Sequence, residues 1–159
     1  MNWKAAGLLA ALALLGACSN DANNTGAATG TGGASTVGGV GPGSQEDLVA
    51  NVGDRVFFAL DSSSLSGDAR ATLDRQAAWL ARYPAVSVQL AGNCDERGTA
   101  EYNLALGQRR ANAARDYLVA RGVSSARVTT ISYGKERPTA LGSDEQAWAQ
   151  NRNSTTSVR

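Results

Sequence analysis

The chain has 159 residues, with 15 Lys and Arg against 14 Asp and Glu, a formal charge of +1 and no histidine. A chain of this length builds one modest core, and its even charge without a basic block argues against nucleic acid or an anionic membrane surface as partner. The missing histidine removes the usual general base, the usual metal ligand and every triad built on imidazole, so neither a metal nor a catalytic residue is expected.

Lys4 precedes an apolar run from Ala5 to Leu15, which leads into Leu15-Gly16-Ala17-Cys18. This is the layout of a secretory signal with small residues at its cleavage point. The run falls short of the roughly 20 apolar residues that span a bilayer. It resembles the lipobox of bacterial lipoproteins. The resemblance implies a signal peptide over residues 1–17 and N-acyl and S-diacylglycerol lipid on Cys18, with no other cofactor. Ser19 rather than Asp after that cysteine agrees with sorting to the periplasmic face of the outer membrane. Once Cys18 is acylated, Cys94 is the remaining thiol, so the fold must hold without an intramolecular disulfide.

Residues 18–45 are rich in Gly, Ala, Ser, Thr and Asn, with Val37 and Val40 as the larger apolar side chains. Such a composition cannot bury enough surface to order itself and reads as a tether. As a flexible coil it averages about 30 Å end to end, and it reaches about 90 Å if pulled straight.

The domain is expected over residues 46–159. Gly53 to Leu60 reads as a strand with Val56, Phe58 and Leu60 on one face, broken by the turn-forming Asp61-Ser62-Ser63-Ser64. A helix follows from about Ser66, with Leu73, Ala77 and Leu80 on one stripe, and Pro84 ends it. Val86, Val88 and Leu90 alternate as a second strand that ends at Gly92, before the loop Asn93 to Gly98. Thr99 can cap a second helix running to about Arg121, with Gly122 at its end. A third strand over Arg127 to Tyr133, a helical turn over Glu145 to Gln150 and a possible last strand over Ser154 to Val158 complete the order. The pattern predicts an α+β fold, a βαβαβ mixed sheet with helices packed on one face.

Asn103, Leu106 and Arg110 share one face of the second helix, with Arg109 about 100° away. An inward arginine needs a partner, and Asp95, in the loop entering that helix, is the acidic candidate for it. On these residues alone the two read either as a structural ion pair tying loop to helix or as a binding pair.

The run Gly92-Asn93-Cys94-Asp95-Glu96-Arg97-Gly98-Thr99, followed by Glu101-Tyr102-Asn103-Leu104-Ala105-Leu106-Gly107-Gln108-Arg109-Arg110-Ala111-Asn112-Ala113, resembles the OmpA-like peptidoglycan-binding domain family. Val56-Phe57-Phe58 before Asp61, the segment Ser132 to Pro138 and Ala147 to Arg152 extend the likeness over about residues 53–152. The resemblance implies noncovalent binding of the diaminopimelate stem peptide of peptidoglycan, through Asp95 and Arg110 with Asn103, Leu106, Thr99, Asp61 and Arg152 around them. One carboxylate and one guanidinium suit a ligand end carrying an ammonium and a carboxylate.

Three positions depart from the family, which usually has His at Asn93, often an acid at Ala59 and a second Arg at Asn153. The final segment is also more polar than the family's closing strand, which predicts weak edge pairing. Among lipid-anchored family members the resemblance further implies work with periplasmic Tol proteins during envelope constriction at cell division. Two alternatives remain: a wall-anchoring lipoprotein of this fold outside the Tol system, and a cell-wall enzyme that uses Cys94. The enzyme reading suffers because no imidazole can activate the thiol, although nearby Arg97 could lower its pKa.

Overall fold

The computed structural model describes residues 40–159. The expected signal peptide, Cys18 and the greater part of the expected tether lie outside the described residues. Within them, four helices and four strands follow in the order α1 (Gln45–Asn51), β1 (Arg55–Phe57), α2 (Gly67–Arg82), β2 (Val88–Asn93), α3 (Ala100–Ala120), β3 (Val128–Gly134), α4 (Glu145–Asn151) and β4 (Asn153–Val158), with a 3-10 turn over Ser125–Arg127.

Local chemistry explains most boundaries. Ser66, Thr99 and Asp144 each cap a helix, their side chains accepting from the main-chain N–H of Ala69, Tyr102 and Ala147. Gly122, at φ +94°, follows the end of α3, where a left-handed residue is needed. Helix α1 was not expected from the sequence. Its signal is Ser44, whose hydroxyl accepts from Asp47 N at 3.1 Å, with Glu46 and Asp47 in the first turn.

The sheet order is β1-β4-β2-β3, with β4 antiparallel to both neighbours and β2 parallel to β3. This is the expected α+β mixed sheet, but the last strand is not a weak edge. Its hydroxyl-bearing residues pair with β1 on one side and β2 on the other, because main-chain ladders do not depend on apolar side chains. Leu48, Val56, Leu73, Leu80, Val88, Leu90, Leu118 and Val128 fill one core drawn from α1, α2, α3 and the sheet.

The first strand is shorter than expected. It ends at Phe57, and Leu60, expected on the buried face, is 58% exposed. The cause lies just beyond the strand: the carbonyls of Ala59 and Ser62 turn to Arg110 instead of a neighbouring strand, and Asp61 adopts a left-handed φ of 54°. At the same end of the sheet, where Phe57 and Gly92 stand opposite Asn153 and Ser154 of β4, the β2–β3 register shifts between Gly92 and Asn93. Such an irregularity re-aims the chain, and here it releases the loop that carries Asp95.

Candidate functional site

Where that loop meets α3 lies a recess of about 270 Å³ lined by Leu60, Asp61, Cys94, Asp95, Arg97, Gly98, Tyr102, Asn103, Leu106 and Arg110. Five of the residues named from the family resemblance thus converge: Asp61, Asp95, Asn103, Leu106 and Arg110. Thr99 is exposed and caps α3 rather than lining the recess. Arg152 stands behind Asp95, buried, with Nη1 at 3.4 Å from its carboxylate.

Arg110 is 1% exposed, yet Asp95 is not its hydrogen-bond partner. Nε donates to Ser62 O at 2.8 Å, Nη1 to Asn93 O at 2.8 Å and to Cys94 Sγ at 3.3 Å, and Nη2 to Ala59 O at 3.0 Å. The direct pairing of Arg110 with Asp95 therefore does not form: main-chain carbonyls from the loop after β1 and from the end of β2 reach the guanidinium first. Of its five N–H groups, one remains uncommitted among the described residues, so a forked grip on a ligand carboxylate requires release of an internal bond. Burial lowers the Arg110 pKa, with Cys94 and Asp95 acting against that shift.

Asp95 is held instead by Arg97 and Arg152. Arg97 Nη2 lies 2.6 Å from Oδ2, Arg97 Nε and its main-chain N each lie 3.2 Å from Oδ1, and Arg152 reaches Oδ2. Burial pushes this carboxyl up, but the hydrogen bonds from Arg97 and Arg152 outweigh it and hold the group below the usual carboxylate range. Arg152 is itself fixed by Phe58 O at 3.2 Å and Glu145 at 2.7 Å.

The remaining positions support the walls. Asn103 Nδ2 donates to Arg97 O at 2.7 Å and Thr99 O at 3.1 Å, which fixes the loop backbone, and Gly98 turns there at φ +88°. Leu106 supplies an apolar surface. Tyr102 hydroxyl donates to Asp61 across the mouth. Tyr102 and Leu60 escaped the sequence reading as site residues, although Tyr102 precedes Leu106 by one helical turn, a spacing that shares a face.

Cys94 is 3% exposed, and burial raises its thiol pKa. The expected lowering by Arg97 does not occur; Arg110 and Arg109 are the cations that oppose the rise. Of the positions that depart from the family, Asn93 and Asn153 are both buried and bond to each other, Nδ2 to Oδ1 at 2.8 Å. Among the described residues no cluster of Cys, Asp and Glu could hold a metal, and no helix is long and apolar enough to cross a membrane.

Residues 57–152 match the OmpA family. Over 152 residues the chain is 55% identical to the peptidoglycan-associated lipoprotein of Rhizobium meliloti (strain 1021), covering 94% of this chain and 83% of that protein. The crystal structure of the peptidoglycan-associated lipoprotein from Burkholderia pseudomallei is similar at 45% identity and a TM-score of 0.65, over 67% of this chain and 90% of that one. The C-terminal domain of Helicobacter pylori MotB shares the fold at 20% identity and a TM-score of 0.63, over 67% of this chain and 84% of that one.

Proposed function

The chain belongs to the OmpA family, beside relatives that carry the name peptidoglycan-associated lipoprotein, and from that premise we propose that its domain grips peptidoglycan noncovalently at the free end of a diaminopimelate stem residue. It is a binding protein of the cell envelope and not an enzyme. The observation that carries the ligand is the recess itself, where Asp95 from the loop and Arg110 from α3 line one small cavity. Asp95 would receive the ligand ammonium. Arg110, through its uncommitted N–H, would receive the carboxylate, with Leu106 against the methylene chain.

A charge-assisted hydrogen bond is worth about 1.5 to 3 kcal/mol net, which suits a reversible grip. Lipid on Cys18 and a tether over residues 18–45 would hold the domain at the periplasmic face of the outer membrane. Many copies beside one polymer then gain avidity. In this reading the domain also meets periplasmic Tol proteins during constriction; what supports that step is the likeness of the domain to its relatives.

The decisive variant is Asp95→Asn, which keeps the shape of the side chain and removes its charge. Arg110→Ala is less clean, because it orphans the carbonyls of Ala59, Ser62 and Asn93 together with the ligand. Asp95→Asn should lose about 10- to 150-fold in affinity for isolated sacculi, at a temperature where its melting curve shows it folded. Free diaminopimelate should compete for the wild type. Binding by the folded variant as tight as wild type would reject the site. The lipid is tested separately: Cys18→Ser should take up no alkynyl fatty acid in metabolic labelling, and equal label would sink the anchor.

A further inference from the structure

A carboxylate offers about four acceptor directions, and at Asp95 each has a donor. Three belong to Arg97: its main-chain N, Nε and Nη2. The fourth belongs to Arg152 Nη1. Arg152 cannot leave readily, being 7% exposed and fixed to Phe58 O and Glu145. Arg97 is placed differently. Its side chain is 34% exposed, rests over the Trp148 ring at 4.1 Å and stands 3.9 Å from Glu145 at the outer rim.

An ammonium that enters the recess to reach Asp95 must therefore replace the Arg97 guanidinium. We infer that Arg97 is a displaceable internal cation, a positioning residue that occupies Asp95 and attenuates the recess's grip on ammonium-bearing ligands. The inference rests on the proposal that Asp95 takes the ligand ammonium. The exchange of one cation for another has a physical purpose. A buried carboxylate without a partner is costly, and Arg97 keeps Asp95 paired as stems come and go. The cost falls selectively: a ligand end that carries only a carboxylate displaces nothing and meets a site whose acid is already neutralised.

The test uses the full chain in detergent, titrated with a stem tripeptide ending in meso-diaminopimelate and with the same peptide ending in 2-aminopimelate, which lacks the distal amine. Arg97→Gln should tighten the first about two- to fivefold, the range of a partly exposed ion pair, and weaken the second, because Asp95 then faces the ligand carboxylate less neutralised. Arg97→Lys keeps a cation and should return both affinities toward wild type. A merely structural role would lower both affinities together with the melting temperature. Loss of diaminopimelate binding in folded Arg97→Gln would make Arg97 a direct ligand contact and overturn the inference, as would affinities that do not change. If wild type binds neither peptide, the reading of the recess fails, and this inference with it. If wild type binds and only the Arg97 effects are missing, the recess stands and the attenuator falls.

Discussion

Arg110 is buried beside main-chain carbonyls rather than an opposite charge, and four of its N–H groups are satisfied there. Satisfied donors make such burial tolerable. Ser154 is the opposite case. It sits 1% exposed in β4, and its hydroxyl has no hydrogen-bond partner among the described residues. A buried polar atom left unpaired costs about 1 to 3 kcal/mol. Ser154→Ala removes that atom with little change in volume, so it should raise stability by about 1 kcal/mol in urea titration and leave peptidoglycan binding unchanged. A destabilised Ser154→Ala would mean that the hydroxyl contributes to the native sheet. Neither fact was legible in the sequence: residues 110 and 154 carry no local mark of the partners that tertiary contact supplies or withholds.

Between elements, the approach of α3 to β2 depends on two glycines. A Cβ built on Gly92 would lie 1.8 Å from the carbonyl oxygen of Gly107, and one on Gly107 would lie 2.3 Å from Ser132 Oγ and 2.8 Å from Gly92 O. Apart from the Ser132 hydroxyl, these contacts are with main chain in a strand and a helix, which cannot step aside as a long side chain does. Gly92→Ala should therefore cost about 3 kcal/mol, at the upper end of overpacking, and move the whole α3 face that carries Asn103, Leu106 and Arg110. The check is a fall in the urea midpoint accompanied by weaker sacculus binding in the fraction that remains folded. Wild-type stability would show that α3 has room to shift. The sequence placed both glycines on their elements, but the apposition of positions 92 and 107 belongs to packing.

On the scale of the domain, α1 ties the start of the described chain to the core. Asp47 accepts from Gly43 N at 2.8 Å, Asn51 Nδ2 at 2.8 Å and Trp79 Nε1 at 2.9 Å, while Gln45 Oε1 accepts from Val158 N at 2.7 Å. The Gly43 main chain, then Asn51 and Trp79, hold the Asp47 carboxyl below its ordinary value. A depressed folded pKa stabilises the fold above the unfolded value of about 3.9 and is lost as pH falls through the folded value. Asp47→Asn should thus melt below wild type at neutral pH, and the gap should close as the buffer is taken below about pH 3.9. A gap that stays constant into acid would show that the charge of Asp47 does not stabilise this clamp.

Composition and periodicity by themselves determined the two long helices, the Thr99 cap of the second, the three main strands and the α+β class, and the Gly-, Ala- and Ser-rich composition of residues 18–45 carries the expectation of a tether. These are local signals, set by the conformational preferences of neighbouring residues and by which face of an element is apolar. The run from Gly92 to Ala113 also marked the family and brought Asp95 and Arg110 to one junction. What only the tertiary structure decided are contacts between distant parts of the chain. The polar last strand lies inside the sheet because its main chain finds two partners, β1 and β2. Arg110 turned from Asp95 to carbonyls 48 and 51 residues away. Asp95 itself joined Arg152, 57 residues further on. Which donor reaches a buried acceptor depends on how loops close over the core, and no spacing within a single helix records that.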